Sequence, residues 1–222
     1  MSVRWWVAVA VLLALVAIGV STGRDPRPPA AVERADVWGE SAAFAIRVVR
    51  GGRVRDVDLL SFRRVEGRVA YEGPQIGEGV ENWKPSHVYS GVELRSIITE
   101  TVGLQGAETV TVAALDGWRK TLPIGVLDGT GPCGTVALAV SIDGVTAGEW
   151  EDAPMLVFLP EDERFSNQDM VDVLGDDGAH RFGTELSTTG MMVKGALIVI
   201  IDHDGGRLPT TELLVPHDAA GS

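Results

Sequence analysis

Thr109-Val110-Thr111-Val112-Ala113-Ala114-Leu115, then Asp116-Gly117, then Trp118-Arg119-Lys120-Thr121-Leu122, is the stretch on which the fold turns. Its first seven residues are rich in β-branched side chains, which suit a pleated, half-buried strand. Asp-Gly is a hairpin signal, because a tight turn needs positive φ at its centre. Trp118 to Leu122 is then the return strand. Two apolar runs of strand length lie further along, at 155–159 and 196–201. Both are continuous rather than alternating, as expected of buried strands, and the first is placed at the centre of a sheet. Upstream, Phe44 to Val49 reads as a strand, Gly51-Gly52 as a turn and Val54 to Leu59 as the returning arm. Ser61 is expected to cap a short segment holding Arg63 and Arg64. Arg68 to Glu72 and Val136 to Ile142 add strands, the second closed by a turn at Asp143-Gly144. Residues 73–79 form a loop. One clear helix spans Val92 to Val102, where Leu94, Ile97, Ile98, Thr101 and Val102 recur at spacings of three and four. Gly103 ends it. Residues 160–189 are acidic and aperiodic, and read as a long surface excursion with one short helix near Gln168–Leu174.

Composition bounds the chemistry. The chain has 222 residues, 45% hydrophobic and 23% charged, with 27 glycines and 11 prolines. That is enough for one folded domain plus extensions, with many turns. A formal charge of −12 disfavours a nucleic-acid partner, since phosphates would be repelled. The single cysteine, Cys133, excludes an internal disulfide and any multi-cysteine metal cage.

Trp5 to Val20 carries no charge, and Arg24-Asp25-Pro26-Arg27-Pro28-Pro29 stops it. So apolar a run is embedded in lipid, removed as a signal, or buried as a core helix. The Trp5-Trp6 pair suits an interfacial anchor, and Ser21 and Gly23 suit a cleavage site. The expectation is a single-pass cell-membrane protein with its domain on the extracytoplasmic side. Residues 1–22 are then the transmembrane anchor or signal peptide, 23–37 a linker, 38–206 the domain and 207–222 a flexible tail.

The order of motifs resembles the molybdopterin-binding domain of the sulfite oxidase family, in its small stand-alone form. Tyr89-Ser90-Gly91-Val92-Glu93-Leu94 is similar to the family's aromatic-x-Gly-Val-x-Leu lead into a helix. Ala114-Leu115-Asp116-Gly117-Trp118 is similar to its Asp-Gly hairpin. Ala153-Pro154 through Pro160 looks like its Pro-hydrophobic strand, and Val193-Lys194 with the strand after it looks like its closing segment. The matches run from about residue 44 to residue 203. The resemblance implies an α+β fold with a coiled, mostly antiparallel sheet and few helices. It also implies a molybdopterin pocket. Catalytic members hold molybdenum through a cysteine placed before the aromatic-x-Gly-Val-x-Leu motif. Here no cysteine precedes Cys133, which argues against sulfite-oxidase-type catalysis.

Within that frame, Lys84, His87, Arg181 and Lys194 are candidate donors to a pterin phosphate. Trp83 and Tyr89 are candidate stacking surfaces for a flat heterocycle. Cys133 is the candidate catalytic or metal-binding thiol, against the simpler reading of an inert thiol. No metal site is expected from His87, His180, His203 and His217, which lack ligand spacing. The acidic residues between Glu161 and Asp177 lack the alternation of a calcium loop. The leading expectation is a membrane-tethered pterin-binding or accessory domain of a redox system, with a redox-complex protein as partner. Two alternatives stand beside it: a cofactor-free interaction module on the same fold, and a molybdenum-dependent oxidoreductase using Cys133.

Overall fold

Gly51 and Gly52 both adopt positive φ, and around them β1 (Ala45–Arg50) and β2 (Arg53–Asp58) close the expected hairpin. The computed structural model describes residues 44–77, 80–114, 116–146 and 149–202. The apolar N-terminal run, the linker, His203, His217 and the tail lie outside these residues. Among the described residues no helix is long and apolar enough to cross a membrane.

The remaining strands are β3 (Arg64–Tyr71), β4 (His87–Glu93), β5 (Thr109–Ala114), β6 (Arg119–Pro123), β7 (Thr135–Ile142), β8 (Val145–Thr146), β9 (Met155–Leu159), β10 (Arg164–Phe165), β11 (Arg181–Phe182), β12 (Glu185–Leu186) and β13 (Ala196–Ile201). They build a five-stranded sheet in the order β2-β1-β13-β5-β6 and a six-stranded sheet β10-β3-β4-β7-β8, with β9 also paired to β7. β11 and β12 form a separate short hairpin. Pairing is antiparallel except for β1 with β13 and β10 with β3. With two α-helices among the described residues, the chain is sheet-rich and mostly antiparallel, as the sequence predicts.

One core is shared by both sheets. Ile46, Val48, Val110, Val112 and Val199 face it from the first, and Val69, Val92, Leu138 and Val140 from the second. Helix α1 (Leu94–Thr101) adds Leu94, Ile97 and Ile98, all fully buried. Each such side chain contributes roughly 1.5–3 kcal/mol through burial. The helix starts two residues later than its periodicity suggests, because Val92 and Glu93 still pair in β4.

Three local expectations are corrected. Asp58, not Ser61, caps the 3-10 turn Leu59–Ser61, and the Ser61 hydroxyl instead donates back to the Asp58 carbonyl. β9 is buried throughout, yet it pairs only with β7 and so is not central. The central apolar strand is β13, between β1 and β5. The 160–189 segment is a built part of the fold. It contains β10, helix α2 (Asn167–Gly178, interrupted at Gly175) and the β11–β12 hairpin, and it buries Phe165 and Met170. Its anchors are single residues at irregular intervals, so no periodicity betrays them.

Candidate functional site

β4 positions the site. Its register against β7 shifts between Ser90 and Gly91. A Cβ at Gly91 would collide with the Leu138 carbonyl, so glycine is required for the two strands to approach. On one side of this bulge Val92 and Leu94 enter the core; on the other, the buried Tyr89 and the partly exposed His87 border the cleft. Tyr89 meets Tyr71 edge-on at 6.3 Å and Trp150 at 6.2 Å between ring centres. Burial, with the Asp143 and Asp152 carboxylates near, pushes its hydroxyl up to about 12.

Beneath Tyr89 lies a fixed floor. The Tyr71 hydroxyl donates to the Phe158 carbonyl at 3.1 Å and accepts from the Phe158 amide at 2.8 Å, which ties β9 to β3. Phe158 stacks on Phe165 at 4.8 Å. One wall is set by a polar knot at the end of β3. The Glu72 carboxylate, 6% exposed, accepts from the Asn167 amide at the start of α2, where the helix dipole favours negative charge. Asn167 Oδ1 accepts from the Thr188 amide, and the Thr188 hydroxyl donates to the Glu72 carbonyl. This knot fixes the 187–191 turn, whose Thr189 borders the cleft.

The cleft itself measures about 200 Å³ and is bordered by Lys84, His87, Tyr89, Trp150, Asp152 and Lys194, among others. A second cavity of about 320 Å³ shares Asp152 and Lys194 with it and adds Asp116 and Glu151. Lys194 pairs with Asp152 at 2.8 Å, at the boundary of the two spaces. His87 Nδ1 lies 2.6 Å from Asp143. The Val88 amide and the His87 ring hold the Asp143 carboxyl below its ordinary range. Lys84 forms no ion pair among the described residues; its ammonium donates only to Asn82 Oδ1 at 3.3 Å.

Four of the six residues nominated for cofactor binding therefore share one cleft: Lys84, His87, Tyr89 and Lys194. Trp83 and Arg181 do not border it. Trp83 is bridged to Glu72, donates to Glu81 at 2.7 Å and carries the Arg164 guanidinium over its ring at 5.1 Å. Arg181 pairs with Asp176 at 2.7 Å and borders a separate cavity with Asn167 and Leu186. Cys133 is 2% exposed and borders another cavity with Pro123, Val126 and Val173. Burial and the nearby Asp169 push its thiol up to about 12, so it is protonated at neutral pH. Sequence reasoning missed Trp150 and Asp152, since Gly148-Glu149-Trp150-Glu151-Asp152 carries no periodic or motif signal. No group of His, Cys, Asp and Glu able to hold a metal occurs among the described residues.

The donor set fits one half of a molybdopterin and not the other. An ammonium with no ion pair among the described residues, beside a cation–carboxylate pair and two aromatic rings, suits a phosphate joined to a flat ring system. A metal wanting a protein thiolate finds none at the cleft, because Cys133 borders a different cavity.

No family model matches the sequence, and no curated protein matches it. Among solved structures, the sulfane dehydrogenase SoxCD from Paracoccus pantotrophus is similar to it, with a TM-score of 0.46 and 15% identity over 77% of this chain. The chain spans 40% of the length of that protein.

Proposed function

We propose that this domain binds a flat anionic heterocycle of the pterin-phosphate class, molybdopterin being the leading candidate, and does not use Cys133 to hold a metal. The gathering of Lys84, His87, Tyr89 and Lys194 into one cleft carries the reading. In it, Lys84 and Lys194 take the phosphate and Tyr89 with Trp150 offers an apolar flank to the ring. Asp116 and Glu151 make the larger cavity unfavourable for the anion, so the phosphate belongs on the Lys84 side. Trp5 to Val20 anchors the chain in the membrane, with the domain on the extracytoplasmic side and a redox-complex protein as its partner.

The test is to purify the full chain from a host that makes molybdopterin, then to measure bound metal and oxidised-pterin fluorescence. Near-stoichiometric pterin with little molybdenum is expected. Lys84→Ala should weaken retention about tenfold or more, since a charge-assisted hydrogen bond is worth ~1.5–3 kcal/mol. Absence of pterin after cofactor reconstitution as well sinks the proposal. It leaves a second reading, a cofactor-free interaction module. The internal pairing of Lys194 with Asp152 and of His87 with Asp143 favours that reading, because both side chains already have partners.

A further inference from the structure

Lys120 lies in β6, next to its first residue Arg119. Among the described residues it forms no ion pair. Its Nζ instead lies 2.9 Å from Nδ1 of His180 and 5.2 Å from the centre of the Trp118 ring. Trp118 also meets the His180 imidazole edge-on at 5.5 Å. The imidazole is held from its other side by the backbone of the 187–191 turn. A Cβ at Gly190 would fall inside the ring, so only glycine admits it there. The His180 amide adds a contact of 3.3 Å to Met170 Sδ on α2.

Strand β6 and the 170–190 segment, distant in sequence, thus converge to place an amine against an oriented base. Half-burying a lysine without a carboxylate is costly for stability alone. A nucleophile in hydrogen-bond reach of a base that is itself held in place is the geometry of an activated amine. Burial lowers the affinity of Lys120 for its proton, and burial together with Lys120 does the same for His180. Both groups are therefore biased toward their neutral, reactive forms.

We propose that Lys120 is a carbonyl-reactive amine, with His180 as its base and Gly190 as the position that seats the base. The ligand class is a small aldehyde or ketone, which Trp118 flanks. The ammonium passes a proton to His180 Nδ1, and the freed Nζ lone pair bonds to the carbonyl carbon as the C=O π pair moves onto oxygen. The two protons left on nitrogen pass to that oxygen through the carbinolamine, the C–O bond breaks as water leaves, the C=N bond of a neutral imine remains, and His180 returns its proton to solvent. The step consumes no oxidant or reductant. It is independent of what the Lys84 cleft binds.

The chain has three lysines, Lys84, Lys120 and Lys194, so each molecule carries its own controls. The full-length chain in detergent is treated with pyridoxal at neutral pH, each imine is trapped with cyanoborohydride, and the modified peptides are mapped by mass. Lys120 is expected to label at least tenfold faster than Lys84 and Lys194. His180→Gln should slow Lys120 at least tenfold and leave the other two unchanged, which a merely structural role would not do. Equal labelling of the three lysines in the wild-type chain overturns the proposal, and that comparison stands even where the variant folds poorly. A Lys120 rate unaffected by His180→Gln in a folded variant overturns it too.

Discussion

Tyr71 is the residue whose hydroxyl is committed on both sides, donating to and accepting from the same Phe158 backbone. Tyr71→Phe removes both partners at once and strands a buried amide. A loss of ~1–3 kcal/mol in urea unfolding is expected. Cys133 offers a test by pH. Its native thiol is pushed up to about 12, while an unfolded thiol titrates near ~8.5. Between those values the unfolded chain holds fewer protons than the native one. Stability contributed by the neutral thiol is therefore intact below ~pH 8.5 and is lost as pH rises toward the native value. Tyr89, pushed up to about 12 from 10.0, acts in the same direction above its unfolded value. Urea midpoints compared at neutral pH and near pH 10 should fall less in Cys133→Ala than in the parent; an equal fall contradicts the assignment. At this scale the sequence was informative about type and silent about company. Lys84, His87, Tyr89 and Lys194, singled out because they flank recognisable motifs, do border one cleft. Trp83 and Arg181 carry the same chemistry, but local partners, Glu81 with Arg164 and Asp176, hold them elsewhere. Partner choice is set by three-dimensional proximity, which spacing along the chain does not encode.

At the scale of elements, the β4–β7 bulge and the start of α2 bear on the cleft most directly. Gly91→Ala places a methyl group on the Leu138 carbonyl, so β4 must separate from β7 or change register. The expected cost is about 3 kcal/mol, at the large end for one substitution, with loss of any ligand held beside Tyr89. A melting temperature within a degree or two of the parent would show that the strand yields at little cost. Helix α2 opens with a reciprocal cap: the Ser166 hydroxyl accepts from the Asp169 amide, and the Asp169 carboxylate accepts from the Ser166 amide. Ser166→Ala should cost ~1 kcal/mol, read by chemical denaturation. Strands were the legible elements. Their signals are local, namely β-branched runs and Asp-Gly or Gly-Gly turns, and the boundaries of β1, β5 and β7 fall within a residue or two of expectation. The segment 160–189 was not legible. Its stability comes from isolated anchors, Phe165 against Phe158 and Asn167 against Glu72. The capping box at Ser166 was present in the sequence as Ser-x-x-Asp, a weaker form of the usual pattern.

Across the whole molecule, contacts between segments far apart in sequence dominate. β1 pairs with β13 and the end of β3 is knotted to α2 and to Thr188. Such topology predicts refolding on the millisecond-to-second scale rather than microseconds, measurable by stopped-flow fluorescence of Trp150 and its fellow tryptophans. The placement of β13 has a further consequence for how the protein is made. The strand at the middle of the first sheet is the last one described along the chain, and its neighbours β1 and β5 must wait for it. As the polypeptide leaves the ribosome or a translocation channel, β1 to β12 emerge with a gap where residues 196–201 belong, and the facing edges of β1 and β5 stay unpaired. Until β13 is released the nascent chain presents two apolar edges, the kind of surface that chaperones hold and that neighbouring copies invade.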